Sequence, residues 1–84
     1  MKRPEIKETQ FAVLMADGAT GIVLTATGQT YLGDDQDVYI IFDDLQSAKQ
    51  FITNKQNENE TIDCSIFDCR LELVVYEQAI KWKD

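Results

Sequence analysis

The stretch DDLQSAKQFITNKQNEN, Asp43 to Asn59, decides the fold, because its apolar residues recur at helical spacing. Leu45, Ala48, Phe51 and Ile52, continued by the alkyl stem of Lys55, follow i, i+3, i+6, i+7 and i+10, one apolar stripe on a polar rod. Asp43 or Asp44 can accept hydrogen bonds from the orphan amides of the first turn, and Asp43 with Gln46 has capping-box spacing. Asn54, Asn57 and Asn59 mark the expected unwinding. Such a rod needs an apolar surface to lie on, and the segments on either side supply one.

Upstream, TQFAVLMA (Thr9–Ala16) is apolar on both parities, which suits a strand in the middle of a sheet, covered on both faces. DGATG (Asp17–Gly21) reads as a turn in which Gly18 and Gly21 can take positive φ. IVLTA (Ile22–Ala26) is the expected return strand of a hairpin, and Thr30–Leu32 a short extension of the sheet. VYIIF (Val38–Phe42), rich in β-branched and aromatic residues, is the next strand.

Downstream, TIDCSIFD and LELVVYE form a second hairpin. With Cys69 and Arg70 at its tip, Asp68 faces Leu71, Ile66 faces Leu73 and Cys64 faces Val75. That register gathers Ile62, Cys64, Ile66, Leu71, Leu73 and Val75 on one face. The tip has no glycine, so a four-residue loop of the same parity competes with a tight primed turn.

The expected fold is α+β: an antiparallel β-sheet of four to five strands with one α-helix packed on one face, in the order β-β-(β)-α-β-β. A chain of 84 residues has room for one domain and one core. Residues 1–8 are expected to be flexible, and residues 77–84 to lay Ile80 and Trp82 over the sheet.

Charge narrows the partners. The formal net charge is −7, and residues 8–69 hold eleven carboxylates against Lys49 and Lys55, a local net of −9. Such a centre repels phosphate backbones, so nucleic acid is not an expected ligand. A basic protein or a cation is attracted. No apolar run approaches membrane-spanning length, and no apolar stretch follows MKRPEIKE to make a secretory signal. The expected compartment is the cytoplasm, with no membrane association and with thiols reduced.

The two cysteines, Cys64 and Cys69, are five positions apart. At about 3.3 Å per residue they lie about 16 Å apart along a strand, beyond disulfide reach. The chain has no histidine and no third cysteine, so one copy cannot assemble a structural zinc site. Cys64 reads as a small core residue beside Ile62 and Ile66, and Cys69 as an exposed tip thiol with no histidine to activate it.

Asp34, Asp35, Asp37, Asp43 and Asp44 lie within eleven positions and are the candidate ligands for Ca²⁺ or Mg²⁺. The EF-hand pattern fails at Val38 and Tyr39, where a third ligand and a glycine belong. The competing reading puts the first three in a solvated loop and the last two at the helix start. DGATG and TATGQTYLG lack the P-loop lysine and the dinucleotide spacing, so neither is a phosphate loop. No catalytic residue and no cofactor is expected.

The far side of the sheet carries the functional expectation. With the helix on one face, Ala12, Leu14, Val23, Tyr39, Ile41, Phe67, Val74 and Tyr76 are left on the other. That set is too apolar to be left open to water, so a cover is expected: the Trp82 tail, a protein partner, or a second copy as a homodimer. Burying roughly 600 Å² of it would give roughly 15 kcal/mol gross, much of it offset by association costs. The expected interaction face is Leu14, Val23, Tyr39, Ile41, Val74, Tyr76 and Trp82. The resulting expectation is a small acidic non-enzymatic protein-interaction module of the inhibitor, immunity or adaptor type. The alternative is a divalent-cation or small-ligand binder using Asp34–Asp44, and a third reading is mimicry of DNA toward a basic protein.

Overall fold

The computed structural model describes residues 4–31 and 37–82. Its elements are β1 (Phe11–Asp17), β2 (Tyr39–Phe42), α1 (Leu45–Glu58), β3 (Ile62–Phe67), β4 (Leu73–Glu77) and a 3-10 turn at Ile80–Trp82. The strands form one antiparallel sheet in the order β2-β1-β3-β4, with α1 against β1, β2 and β3. The expected α+β architecture is the observed one.

The both-parity apolar run does form an interior strand. β1 pairs with β2 through Phe11–Phe42 and Val13–Ile40, and with β3 through Val13–Ile66 and Met15–Cys64. Val13, Met15, Cys64 and Ile66 are buried beneath Ala48 and Ile52 of the helix, with Leu24 and Ile62 completing the cluster. Leu45, Phe51 and Phe42 close its rim, the two phenylalanine rings 5.2 Å apart. The Lys55 ammonium sits 5.8 Å over the Phe51 ring, so its stem extends the stripe.

Asp44 is the helix N-cap, accepting from the Ser47 amide at 2.7 Å, a bond that holds its carboxyl below the ordinary carboxylate value. Asp43 is not part of a capping box; its carboxylate accepts from Gln10 Nε2 at 2.9 Å and ties the segment before β1 to the helix entry.

The first hairpin is shorter than its sequence suggests. Segment 22–26 makes only isolated bridges, Ala16–Val23 and Leu24–Thr30, not a strand. A second fold-back stops the ladder: the Thr25 amide donates to the Gln29 carbonyl, the Thr25 hydroxyl accepts from the Gln29 amide, and Gly28 takes φ 87°. Thr30 reaches the sheet through its bridge, while Leu32 lies outside the described residues. Ile22, the first residue of that expected return strand, is exposed because the ladder is too short to carry it beneath the helix.

Gly21 has the expected positive φ of 75°, but Gly18 does not, and its requirement is space. A Cβ there would stand 2.9 Å from the Thr61 carbonyl oxygen and 2.9 Å from the Trp82 ring. Gly18→Ala is therefore expected to cost about 1–3 kcal/mol and to displace the ring. Trp82 is the one tryptophan of the chain, so its fluorescence reads the displacement directly. An emission spectrum and melting temperature equal to those of the parent would contradict the close approach.

The second hairpin has the expected partners in a different register: Ile66 faces Val75 and Cys64 faces Glu77, with an irregularity at Ile66/Phe67 that sets Phe67 opposite Leu73. The tip is the cause. Without glycine the chain takes a wider loop, in which Asp68 and Glu72 bond through the backbone and Leu71 adopts φ 61°. The Asp68 carboxylate accepts from the Arg70 and Glu72 amides and holds that left-handed residue in place. The irregularity turns Leu73 to the side of Phe67, so this residue, expected beneath the helix, is exposed.

Candidate functional site

Alternation fixes which side chains share the reverse face of the sheet. Ala12 and Leu14 of β1, Tyr39 and Ile41 of β2, and Phe67 of β3 lie opposite the helix. Leu73 joins them because it faces Phe67, and Val74 and Tyr76 because they alternate with the inward Val75. The Tyr39 and Phe67 rings meet edge-on across β1 at 6.3 Å, and Ala12 between the large residues on both sides is fully buried. The rim has no such cover: Ile41 is 36% exposed, Val74 42%, Tyr76 54% and Leu73 59%. Leu14 and Val23 are half-buried, Val23 beside Ala16 through their bridge.

Two polar residues of β3 interrupt this surface, Ser65 between Leu14 and Tyr76, and Asp63. The Asp63 carboxylate accepts from the Tyr76 hydroxyl at 3.0 Å and from the Ala79 amide at 2.6 Å. The first bond fixes the Tyr76 ring and, with the anion beside it, raises the phenol above its ordinary value. The second turns the chain after β4 across the end of the sheet, where the Lys81 amide bonds the Glu60 carbonyl. Trp82, 40% exposed, packs there against Gly18 instead of over the strands.

On the helix side, α1 stops short of β4 and leaves a groove of about 410 Å³ lined by Ile52, Thr53, Gln56, Val75 and Ile80. Gln56, buried in its wall, donates to the carbonyls of Ile62, Glu77 and Gln78 at 3.1, 3.1 and 3.2 Å. No sequence motif marks this residue. Its place four positions after Ile52, itself four after Ala48, was the available signal.

The two thiols have separate surroundings. Cys64 is buried in the core, and desolvation, with Asp63 and Glu77 nearby, pushes its thiol up to about 12. Cys69 is half-buried in the hairpin tip, and both thiols are free. At pH 8, iodoacetamide is expected to label Cys69 and to spare Cys64 until denaturant is added. Because the folded thiol keeps its proton while the unfolded one releases it near 9.0, the stability from buried, neutral Cys64 is complete below that pH. It is lost as pH rises from 9.0 toward about 12. Rapid labelling of both thiols in the native protein would contradict the burial.

Of the candidate cation ligands, Asp34 and Asp35 lie outside the described residues, and Asp37 is exposed. Asp43 and Asp44 are occupied by Gln10 and the helix cap. Among the described residues no group of three or more His, Cys, Asp or Glu is placed to hold a metal ion. Nor is any helix among them long and apolar enough to cross a membrane. No protein-family model, curated protein or solved structure matches this chain.

Proposed function

We propose that this chain is a small acidic protein-interaction module that docks on a partner through the reverse face of its sheet. The exposed apolar residues of that face, Ile41 at its β2 edge and Leu73, Val74 and Tyr76 at its β4 edge, carry the reading. Water contact with these large side chains is unfavourable, and apolar residues left exposed on one face are the usual mark of a docking surface.

Charge favours a different protein over a second copy. Two copies would bring together chains of −7 each, whereas a basic rim on the partner turns the same field into attraction. The Tyr76 ring, held by Asp63, is a pre-ordered aromatic anchor of the kind that dominates interface energetics. The acidic surface then steers the encounter, and the apolar face supplies the affinity.

The test uses two immobilised baits, the parent chain and an Ile41→Lys, Leu73→Asp double variant. Both positions are exposed, so the variant keeps the parent's melting temperature. A protein held by the parent, released by salt and absent from the variant supports the reading. Equal retention by both baits contradicts it, as does a dimer of the parent that the double substitution dissolves.

A further inference from the structure

We infer that the outer edge of β4 and the groove beside it form a second binding surface, which takes an extended basic peptide segment as a fifth strand. This goes beyond docking through the reverse face, because it uses the backbone of β4 and the helix side of the sheet.

β4 is the terminal strand of the order β2-β1-β3-β4, so among the described residues one of its edges has no strand beside it. The outward groups follow from the ladder. The Leu24 amide donates to the Met15 carbonyl and the Asp17 amide to the Ile22 carbonyl, so the odd residues of β1 point toward segment 22–24. Its even residues therefore point to β3, whose odd residues answer them, as Leu14–Ser65 and Ala16–Asp63. The even residues of β3 then face β4, which places Cys64–Glu77 and Ile66–Val75 in hydrogen-bonded pairs. Tyr76, between them, directs its N–H and C=O out of the sheet.

An edge of this kind recruits an extended chain by main-chain bonding, and specificity comes from pockets for alternate side chains. Here the pocket is present. The groove between α1 and β4 is lined by the apolar side chains of Ile52, Val75 and Ile80, with Thr53, Lys49 and Glu77 beside them. Its volume of about 410 Å³ falls in the range of ligand pockets. A strand laid against Tyr76 would direct every second side chain into that groove. The register shift opposite Ile66/Phe67 and the exposed carboxylate of Glu72 spoil the first part of the edge for long, open-ended pairing. A short segment fits, and a second copy of the strand, on a chain of −7, is disfavoured.

The experiment selects binders from a random displayed peptide library on the full chain and synthesises the enriched sequence. Expected are alternating apolar residues with Lys or Arg between them, and amide shifts at Val74–Gln78, Thr53 and Gln56. Methylating the peptide nitrogens that face β4 should weaken binding roughly tenfold or more, and methylating the alternate set should not. This control leaves the protein unaltered. Ile80→Asp should weaken binding by a similar factor, whereas Ile41→Lys, which disables the reverse face, should leave it unchanged. The inference is overturned by failure of any peptide to enrich, by equal binding of both methylated sets, or by shifts confined to Leu14 and Ile41. A parent chain that is already a dimer with its Tyr76 amide protected also overturns it.

Discussion

Replacing Gln56 with methionine is expected to cost about 2–4 kcal/mol, although the two side chains are close in size. The amide of Gln56 donates to three backbone carbonyls, those of Ile62, Glu77 and Gln78. These acceptors lie at the junction of α1, the start of β3 and the end of β4. Methionine fills the space but removes that donor from all three carbonyls at once, and losing a hydrogen bond at a buried site costs about 1–3 kcal/mol. The loss should be visible locally as well as in the urea midpoint. Amide exchange at Ala79 and Lys81, whose bonds to Asp63 and Glu60 hold the following segment, should accelerate. An unchanged midpoint with unchanged exchange would show that Gln56 does not tie the helix to the hairpin.

Truncating Ile66 to alanine is expected to cost about 2–5 kcal/mol. Ile66 is fully buried, faces Val13 on one side and Val75 on the other, and belongs to the cluster beneath Ala48 and Ile52. A domain of this length has a total stability of about 4–13 kcal/mol, at about 0.05–0.15 kcal/mol per residue. The substitution therefore removes a large share of it. In a urea titration the midpoint should fall while the slope stays constant. A loss below about 1 kcal/mol would mean that the helix does not seal this face.

Both positions show what a sequence can and cannot disclose. The core around Ile66 is legible because period-2 and period-3.6 patterns report which side of an element is apolar. The both-parity run of β1 and the stripe from Leu45 to Ile52 each have one economical arrangement, and the structure adopts it. Gln56 escapes that logic, since its partners are carbonyls from segments six to twenty-two residues away. Gly18 escapes it too, because the Thr61 carbonyl and the Trp82 ring approach it from distant parts of the chain.

The β3–β4 hairpin is the intermediate case. Its strands are readable, but its register depends on a loop in which Leu71 takes the left-handed conformation and on one irregular pair. That detail moved Leu73 from the expected core to the reverse face. The exposed face was thereby enlarged beyond the set Leu14, Val23, Tyr39, Ile41, Val74, Tyr76 and Trp82, of which Trp82 sits at the end of the sheet. The helix entry holds a comparable detail. Asp43 and Asp44 have hydrogen-bonding tasks at the helix entry that a count of carboxylates does not reveal.

The fold and the docking role proposed for this chain both depend on a sheet with one face covered by the helix and one open apolar face. Methyl resonances recorded with a soluble paramagnetic probe measure that asymmetry residue by residue. The methyl signals of Ile41, Leu73 and Val74 should be strongly attenuated, and those of Val13, Ile52 and Ile66 should keep their intensity. Protection of Ile41, Leu73 and Val74 in the isolated chain, or attenuation at Ile52 and Ile66, would contradict the account.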